Sequence, residues 1–360
     1  MKYNDIRRKT RKVNIGNLSI GGDSKIIIQS MTNTDPHDAD TTIKQIKALK
    51  NAGCDIVRIT VPDFEAADII TKIKNEVDIP LVADIHFDYR IAIRCAELGI
   101  DKIRINPGNI GDEDKIKLVS DACRLRGIPI RIGVNSGSLE KCILRKYGSP
   151  TAQALAESAI YNANLLCKYG FEDIVISIKS SDPKTMIDAN RLVSNMCDYP
   201  LHLGVTEAGS KEIGSIKSAI GIGALLCDGI GDTIRVSLTD NPVEEIYAAK
   251  RILNSIGLDG QSGLQIVSCP TCGRTKIDLI SLVSEFEKAV LDNGLSDVPI
   301  KVAIMGCAVN GPGEAKEADV GIAGGVGEAL LFKKGTIIRK ITEDNIVGVL
   351  LEEIKNFKNI

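Results

Sequence analysis

Three cysteines near the C-terminal end have the type and spacing of soft-metal ligands. They are Cys269 and Cys272 in Cys269-Pro-Thr-Cys272, and Cys307 in Met305-Gly-Cys307-Ala-Val-Asn-Gly-Pro-Gly-Glu314. Two thiolates at this spacing and a remote third can hold three corners of an iron–sulfur cube, and the Gly and Pro around them favour tight ligand loops. No cysteine follows Cys307, and the nearest one before Cys269 is Cys227, in a helical pattern. Either one iron stays open, or a harder ligand such as Glu314 completes the site. An iron of that kind is a place where substrate can bind. Structural zinc is the competing chemistry, since Cys3His is a common zinc set. Against it, His37, His86 and His202 all lie in the N-terminal two-thirds of the chain, and no second CxxC is present.

A second set of residues carries charge where apolar residues are expected. Arg58, Asp84 with His86, Arg104 with Asn106, Arg131 with Asn135, Lys179, His202 with Thr206 and Glu207, and Arg235 with Ser237 all stand within or at the ends of short Ile- and Val-rich runs. Any one of these arginines is as readily a brace on a rim as a functional group. Together, four arginines and a lysine are not balanced by Asp84 and Glu207, and buried cations need partners. A ligand best supplies the missing negative charge. Guanidinium forks match phosphate oxygens two at a time, so a phosphorylated or diphosphorylated small molecule is implied.

The elements that must position these residues repeat eight times. Short apolar strands are expected at 26–31, 56–61, 81–86, 102–106, 128–135, 174–179, 201–207 and 233–238. Amphipathic helices follow at 41–52, 66–77, 88–98, 113–126, 151–169, 183–197, 212–227 and 243–256, several closed by glycine. Eight such units in about 230 residues is the arithmetic of a (β/α)8 TIM barrel, whose active site lies at the C-terminal ends of the strands. A doubly wound sheet usually has fewer strands. Residues 17–22 read as a turn between short strands ahead of the barrel. The Gly- and Ser-bearing stretch at 260–263 marks a linker. The expected division is therefore a barrel domain at 1–259 and a smaller α/β iron–sulfur domain at 260–360. The second domain should hold strands at 264–267, 300–305, 320–323, 329–332 and 336–340 and helices at 278–293 and 345–355, with two strands delivering cysteines at their ends. The other seven cysteines read as small buried hydrophobes on helix faces, Cys142 in a loop being the exception.

Composition narrows the partners. A net charge of −2, no Trp and 4% aromatics argue against a stacking surface for nucleic acid. The basic run Arg7-Arg8-Lys9-Thr10-Arg11-Lys12 reads as a solvated edge. No apolar run approaches the roughly 20 residues that span a bilayer. Ten cysteines without a regular framework, and no apolar stretch behind the basic start, point to a reducing cytoplasm.

The motifs resemble those of the 4-hydroxy-3-methylbut-2-enyl diphosphate synthase (GcpE/IspG) family of the non-mevalonate (MEP) isoprenoid pathway. They are Gln29-Ser-Met-Thr-Asn-Thr-Asp35, Ala83-Asp-Ile-His86, Arg104-Ile-Asn-Pro-Gly108, Arg131-Ile-Gly-Val-Asn135, His202-Leu-Gly-Val-Thr-Glu-Ala-Gly209, Thr233-Ile-Arg-Val-Ser-Leu238, Ser268-Cys-Pro-Thr-Cys-Gly-Arg274 and the segment from Met305 to Glu314. The likeness runs from Arg7 to about Gly325 and leaves no room for the insert found in plants. Ser136 stands where alanine is common. The resemblance implies a [4Fe–4S] cluster on Cys269, Cys272, Cys307 and Glu314. It implies reductive ring opening and dehydration of 2-C-methyl-D-erythritol 2,4-cyclodiphosphate, with flavodoxin or ferredoxin as electron donor. Arg58, Arg104, Asn106, Arg131, Asn135, Lys179, Arg235 and Ser237 would bind the substrate. Asp84, His86, Thr206 and Glu207 would approach its carbon skeleton, with Glu207 a proton donor whose pKa desolvation would have to raise.

Two rival readings stand beside this one: a pterin- or aldolase-type phosphate-binding barrel with a zinc-stabilised appendage, and a non-catalytic iron–sulfur electron carrier. The connectivity bears on assembly. A helix at 243–256 runs about 20 Å back down the barrel, so the chain leaves opposite the mouth. A linker over 257–263 reaches at most about 25 Å. Both the connectivity and the resemblance favour a head-to-tail C2 homodimer in which one chain's cluster serves its partner's barrel.

Overall fold

The computed structural model describes residues 6–258, 263–296, 298–308 and 315–358, and the chain divides into two compact units, Met1–Ile256 and Gly257–Ile360. Eight parallel strands form the core of the first: β3 (Ile27–Met31), β4 (Ile56–Thr60), β5 (Leu81–Asp84), β6 (Lys102–Ile105), β7 (Ile130–Asn135), β8 (Ile174–Lys179), β9 (His202–Leu203) and β10 (Thr233–Ile234). They neighbour one another in sequence order, β10 returns to pair with β3, and a parallel bridge between Ile176 and Leu201 joins β8 to the start of β9. The ring is a TIM barrel. Helices between the strands begin at side-chain caps: Asp38, Asp63, Asp88, Asp112, Thr151 and Asp182 each accept an N–H of the first turn.

A hairpin of β1 (Val13–Ile15) and β2 (Leu18–Ile20) precedes the barrel. Its Val13, Ile15 and Ile20 pack with Ile27, Ile56, Val82 and Val175, which lie toward the N-terminal ends of the barrel strands, so the hairpin plugs the floor. The expected turn at 17–22 is thus partly strand. The basic run is not a solvated edge either. Arg7 pairs with buried Asp232 at 3.0 Å, Arg8 donates to the carbonyls of Cys197 and Tyr199, and Arg11 pairs with Asp198 and lies over the Tyr199 ring.

Two strands are shorter than the sequence pattern predicts. β9 and β10 hold two residues each, where 201–207 and 233–238 were expected. A Cβ on Gly204 would lie 2.4 Å from the carbonyl oxygen of Arg235, so the two chains touch there. Beyond that point both leave the ladder, and their apolar residues line loops. The helix expected at 66–77 is two, Phe64–Asp68 and Ile70–Glu76.

The cysteine reading holds in part. Cys54, Cys95 and Cys123 are buried, and desolvation pushes each thiol up to about 12. Cys167 and Cys197 are half-buried. Cys142 and Cys227 are exposed; Cys142 stands on the short helix Lys141–Tyr147, and Cys227 is the last residue of its helix, Lys211–Cys227, where the apolar face has run out.

The second unit is a five-stranded mixed sheet in order β11 (Gln265–Ser268), β12 (Lys301–Met305), β13 (Val320–Gly324), β14 (Glu328–Lys333), β15 (Thr336–Thr342). The first three strands are parallel and the last two antiparallel. Helices Leu279–Asp292 and Ile346–Lys358 cover one face, where Phe286, Val290, Ile346, Leu350 and Ile354 pack on Val302, Ile304 and Ile322. Among the described residues, no helix is long and apolar enough to cross a membrane.

Candidate active site

Alternation along the barrel strands turns Gln29 and Met31, Arg58, Asp84, Lys102 and Arg104, Arg131, Lys179, His202 and Arg235 to the interior. Barrel interiors are usually filled with branched aliphatic side chains. Here Arg58, Lys102, Arg104, Arg131 and Lys179 are all buried, and Arg235 is nearly so. Two carboxylates face them. Asp84 accepts from Arg104 Nη1 at 3.0 Å and lies 3.7 Å from Arg58 Nε. Glu245 lies 3.6 Å from Arg235 Nε. Six basic side chains against two carboxylates leave an interior with an excess of positive character.

The electrostatics follow from that imbalance. Burial alone would raise Asp84, but Arg58, Arg104, His86 and Arg131 outweigh it and hold the carboxyl at about 2. Desolvation, opposed by Asp84 and reinforced by Arg235 and Arg104, brings Arg58 down to about 9. Lys179 is pushed well below the usual lysine range by burial and by Arg235, Arg58, Arg131 and Arg104. Lys102 is pushed down the same way, by burial and then by Arg131 and Arg58. In the barrel interior, Gln29 Nε2, Lys102 Nζ, Arg131 Nε, His202 Nε2 and Arg235 Nε have no protein hydrogen-bond partner among the described residues. Such an interior is built to receive negative charge.

The other expected residues divide by depth. Arg131 reaches Gln29 Oε1 at 3.4 Å. Asn106 is buried just past β6, and Asn135 ends β7, where its amide, turned over, accepts from Arg104 Nη2 at 3.2 Å through its oxygen. His202 is buried, its Nδ1 2.6 Å from Thr233 Oγ1, and burial among cations keeps it neutral. His86 stands past β5 on the open side, with Nε2 3.4 Å from Arg104 Nη1 and 3.8 Å from Asp84 Oδ2. Thr206 and Ser237 are half-buried in the loops after β9 and β10. Glu207 departs from expectation. It is exposed, at a left-handed φ of 51°, so this chain alone does not desolvate its carboxyl. The cause is the early end of β9, which puts Glu207 on a loop instead of a strand.

Sequence reasoning missed Lys102, Glu245, Gln29 and two glycines. A Cβ on Gly133 would fall 2.6 Å from Arg104 Nε, and one on Gly204 would fall 3.5 Å from Lys179 Nζ. Both residues sit inside quoted motifs, and their position on an inward face was the available signal.

In the second unit, Cys269 follows β11 and Cys307 follows β12 by two residues, and these strands are parallel neighbours with Ser268 opposite Ile304. Their loops are stitched together. Gly306 N–H donates to Cys269 Sγ at 3.3 Å, and Lys276 N–H donates to the Gly306 carbonyl at 2.9 Å. A Cβ on Gly306 would meet Thr275 Cγ2 at 2.8 Å, so glycine permits the approach. Cys272 is exposed, and hydrogen bonds from the backbone and side chain of Arg274 lower its thiol. Among the described residues no three His, Cys, Asp or Glu side chains form a closed metal site. Glu314 lies outside the described residues. The donor set, with N–H groups turned toward two of the sulfurs, fits a soft metal–sulfur group in chemistry and in strand placement.

Comparison with known proteins agrees with this layout. A dihydropteroate synthase from Stenotrophomonas maltophilia aligns with TM-score 0.51 and 11% identity over 69% of this chain and 99% of its own, a likeness of fold alone. The 4-hydroxy-3-methylbut-2-en-1-yl diphosphate synthase (flavodoxin) of Caldanaerobacter subterraneus subsp. tengcongensis is 57% identical over 350 residues, 97% of this chain and 98% of that protein. The protein of the same name from Ruminiclostridium cellulolyticum is 58% identical over 348 residues, again 97% and 98%. The family model described as the GcpE TIM-barrel domain matches residues 10–250 and that of the GcpE protein C-terminal domain matches residues 265–356, and the chain belongs to the GcpE family.

Proposed function

We propose that this chain is an oxidoreductase that makes 4-hydroxy-3-methylbut-2-enyl diphosphate from 2-C-methyl-D-erythritol 2,4-cyclodiphosphate, by two-electron ring opening with loss of water. The observation that carries the reading is the barrel interior, where six basic side chains face two carboxylates. That excess suits a diphosphate and has no use in a simple electron carrier. Relatives more than half identical over nearly the whole chain are named as 4-hydroxy-3-methylbut-2-en-1-yl diphosphate synthases, which supports the product.

A [4Fe–4S] cluster held by Cys269, Cys272, Cys307 and Glu314 would supply single electrons in two steps and a Lewis-acidic iron. The barrel residues do the rest. Arg58, Arg104, Arg131, Lys179, Arg235, Asn106, Asn135 and Ser237 hold the diphosphate, and this remote binding aligns the reacting C–O bond. Asp84 pairs with Arg58 and Arg104 and fixes the direction in which they point. His86, beside Asp84 and Arg104 at the open side, and Glu207 with Thr206 near it, are placed to move protons at the carbon skeleton. Glu207 is exposed and needs a second protein surface over it to exclude water from its carboxyl. A head-to-tail homodimer supplies that surface. Its barrel contact has a candidate in Ile213, Ile216 and Ile220, an exposed apolar stripe on helix Lys211–Cys227. Flavodoxin, as in the relatives' names, is the proposed reductant, with ferredoxin the alternative.

The test is anaerobic turnover of the cyclodiphosphate with a low-potential donor. Product identified as the open-chain enyl diphosphate, with iron and sulfide in the protein, supports the proposal. Zinc in place of iron, or no conversion by iron-loaded protein, overturns it.

A further inference from the structure

β10 pairs with β3 only through Thr233 and Ile234, opposite Ile27 and Ile28. Above that short ladder the first and last strands of the barrel part, at the level of Ser30 and Arg235. Helix Pro242–Ser255 starts beside this seam, capped by Asn241, and sends Glu245 into it from its first turn. The carboxylate is buried and fully engaged. Its Oε2 accepts from Ser30 Oγ at 2.8 Å, and its Oε1 accepts from Leu238 N–H at 3.1 Å. Oε2 also lies 3.6 Å from Arg235 Nε, which has no hydrogen-bond partner among the described residues. Glu245 thus ties β3, the loop bearing Ser237 and the guanidinium of Arg235 to one outer helix.

We propose that Glu245 is a positioning residue, which holds the Nε edge of Arg235 from behind so that the rest of the guanidinium fork faces the anion in the barrel. This deepens the proposed function and rests on it for the identity of that anion. The arrangement has a distinctive sign. A carboxylate near an anion site should weaken anion binding through its charge alone, so its removal would strengthen binding. If Glu245 acts by orienting Arg235, its removal weakens binding instead.

The experiment uses the full-length holoprotein and inorganic pyrophosphate, with affinity read by calorimetry. Glu245→Gln can still accept from Leu238 N–H and can donate to Ser30 Oγ, so the seam is kept while the charge is lost. We expect Glu245→Gln to weaken pyrophosphate binding about fivefold to tenfold. Arg235→Met should weaken it at least as much, and the double variant no further than Arg235→Met alone. Binding by Glu245→Gln equal to or tighter than wild type, or losses that multiply in the double variant, would overturn the assignment. Should Glu245→Gln fail to fold, Ser30→Ala removes one bond that aims the carboxylate, and unchanged affinity there overturns it equally. Failure of the wild-type chain to bind pyrophosphate overturns both this inference and the anion site. Pyrophosphate binding with the expected coupling, but no turnover of the cyclodiphosphate, would overturn only the proposed reaction.

Discussion

Arg104 occupies space left by the missing side chain of Gly133, whose Cβ would fall 2.6 Å from Nε and 2.8 Å from Nη2. Gly133→Ala should therefore push the guanidinium off Asp84. Loss of one charge-assisted contact predicts about tenfold weaker pyrophosphate binding, and unchanged affinity in a folded variant would refute the packing argument. Lys102 gives the opposite kind of test. Burial, then Arg131 and Arg58, depress its pKa. A lysine depressed on folding binds fewer protons folded than unfolded, so its cost to stability grows as pH falls from the usual lysine range toward its folded value. Lys102→Met removes that cost. The melting temperature should rise, and the gain should be larger near pH 7 than near about pH 10. The arginines were legible in the sequence because charge inside an Ile/Val run is anomalous. Lys102 opens its run and Glu245 sits in the first turn of a helix, where lysine and glutamate are unremarked, so neither stood out. The cost of Gly133→Ala is a fact of three dimensions.

Loops carry the next prediction. His37, between β3 and the following helix, bridges two βα loops, with Nδ1 3.1 Å from Asp35 and Nε2 2.9 Å from Asp63. Asp63 and then Asp35 raise its pKa; Asp63 is lowered first by the Ala66 N–H and then by His37, and Asp35 by the His37 N–H and then its ring. A histidine raised on folding stabilises fully below its unfolded value and loses that contribution as pH rises through its folded one. The difference in melting temperature between wild type and His37→Gln should be greatest on the acid side of neutrality and close as the pH rises. A gap independent of pH would mean that the clamp works by shape alone. The elements themselves were largely readable. Strands and helices fell within a few residues of expectation because Ile/Val runs and glycine stops mark them. β9 and β10 were overextended because apolar residues continue past the point where pairing ends, and periodicity cannot see a ladder stop.

For the whole molecule, the proposed sharing of sites between chains has a mixing test. A barrel-dead chain (Arg235→Ala with Glu207→Gln) and a cluster-dead chain (Cys307→Ser) are dissociated and reassociated together. Mixed dimers should regain one intact site each; no activity above either parent, with subunit exchange confirmed, would show that each chain serves its own barrel. Ile216→Glu should likewise shift the sedimenting species toward monomer. The closure of the barrel floor has a consequence for synthesis on the ribosome. Arg7 and Asp232 lie 225 residues apart in sequence, and the hairpin of β1 and β2 seats on residues from β3, β4, β5 and β8. At the roughly 5–20 residues per second of translation, the N-terminal arm waits tens of seconds or less, but always longer than local folding takes, for its last partner to emerge. A nascent chain arrested before Asp232 therefore exposes an apolar hairpin before the floor that receives it is complete, with Arg7 still short of its Asp232 partner.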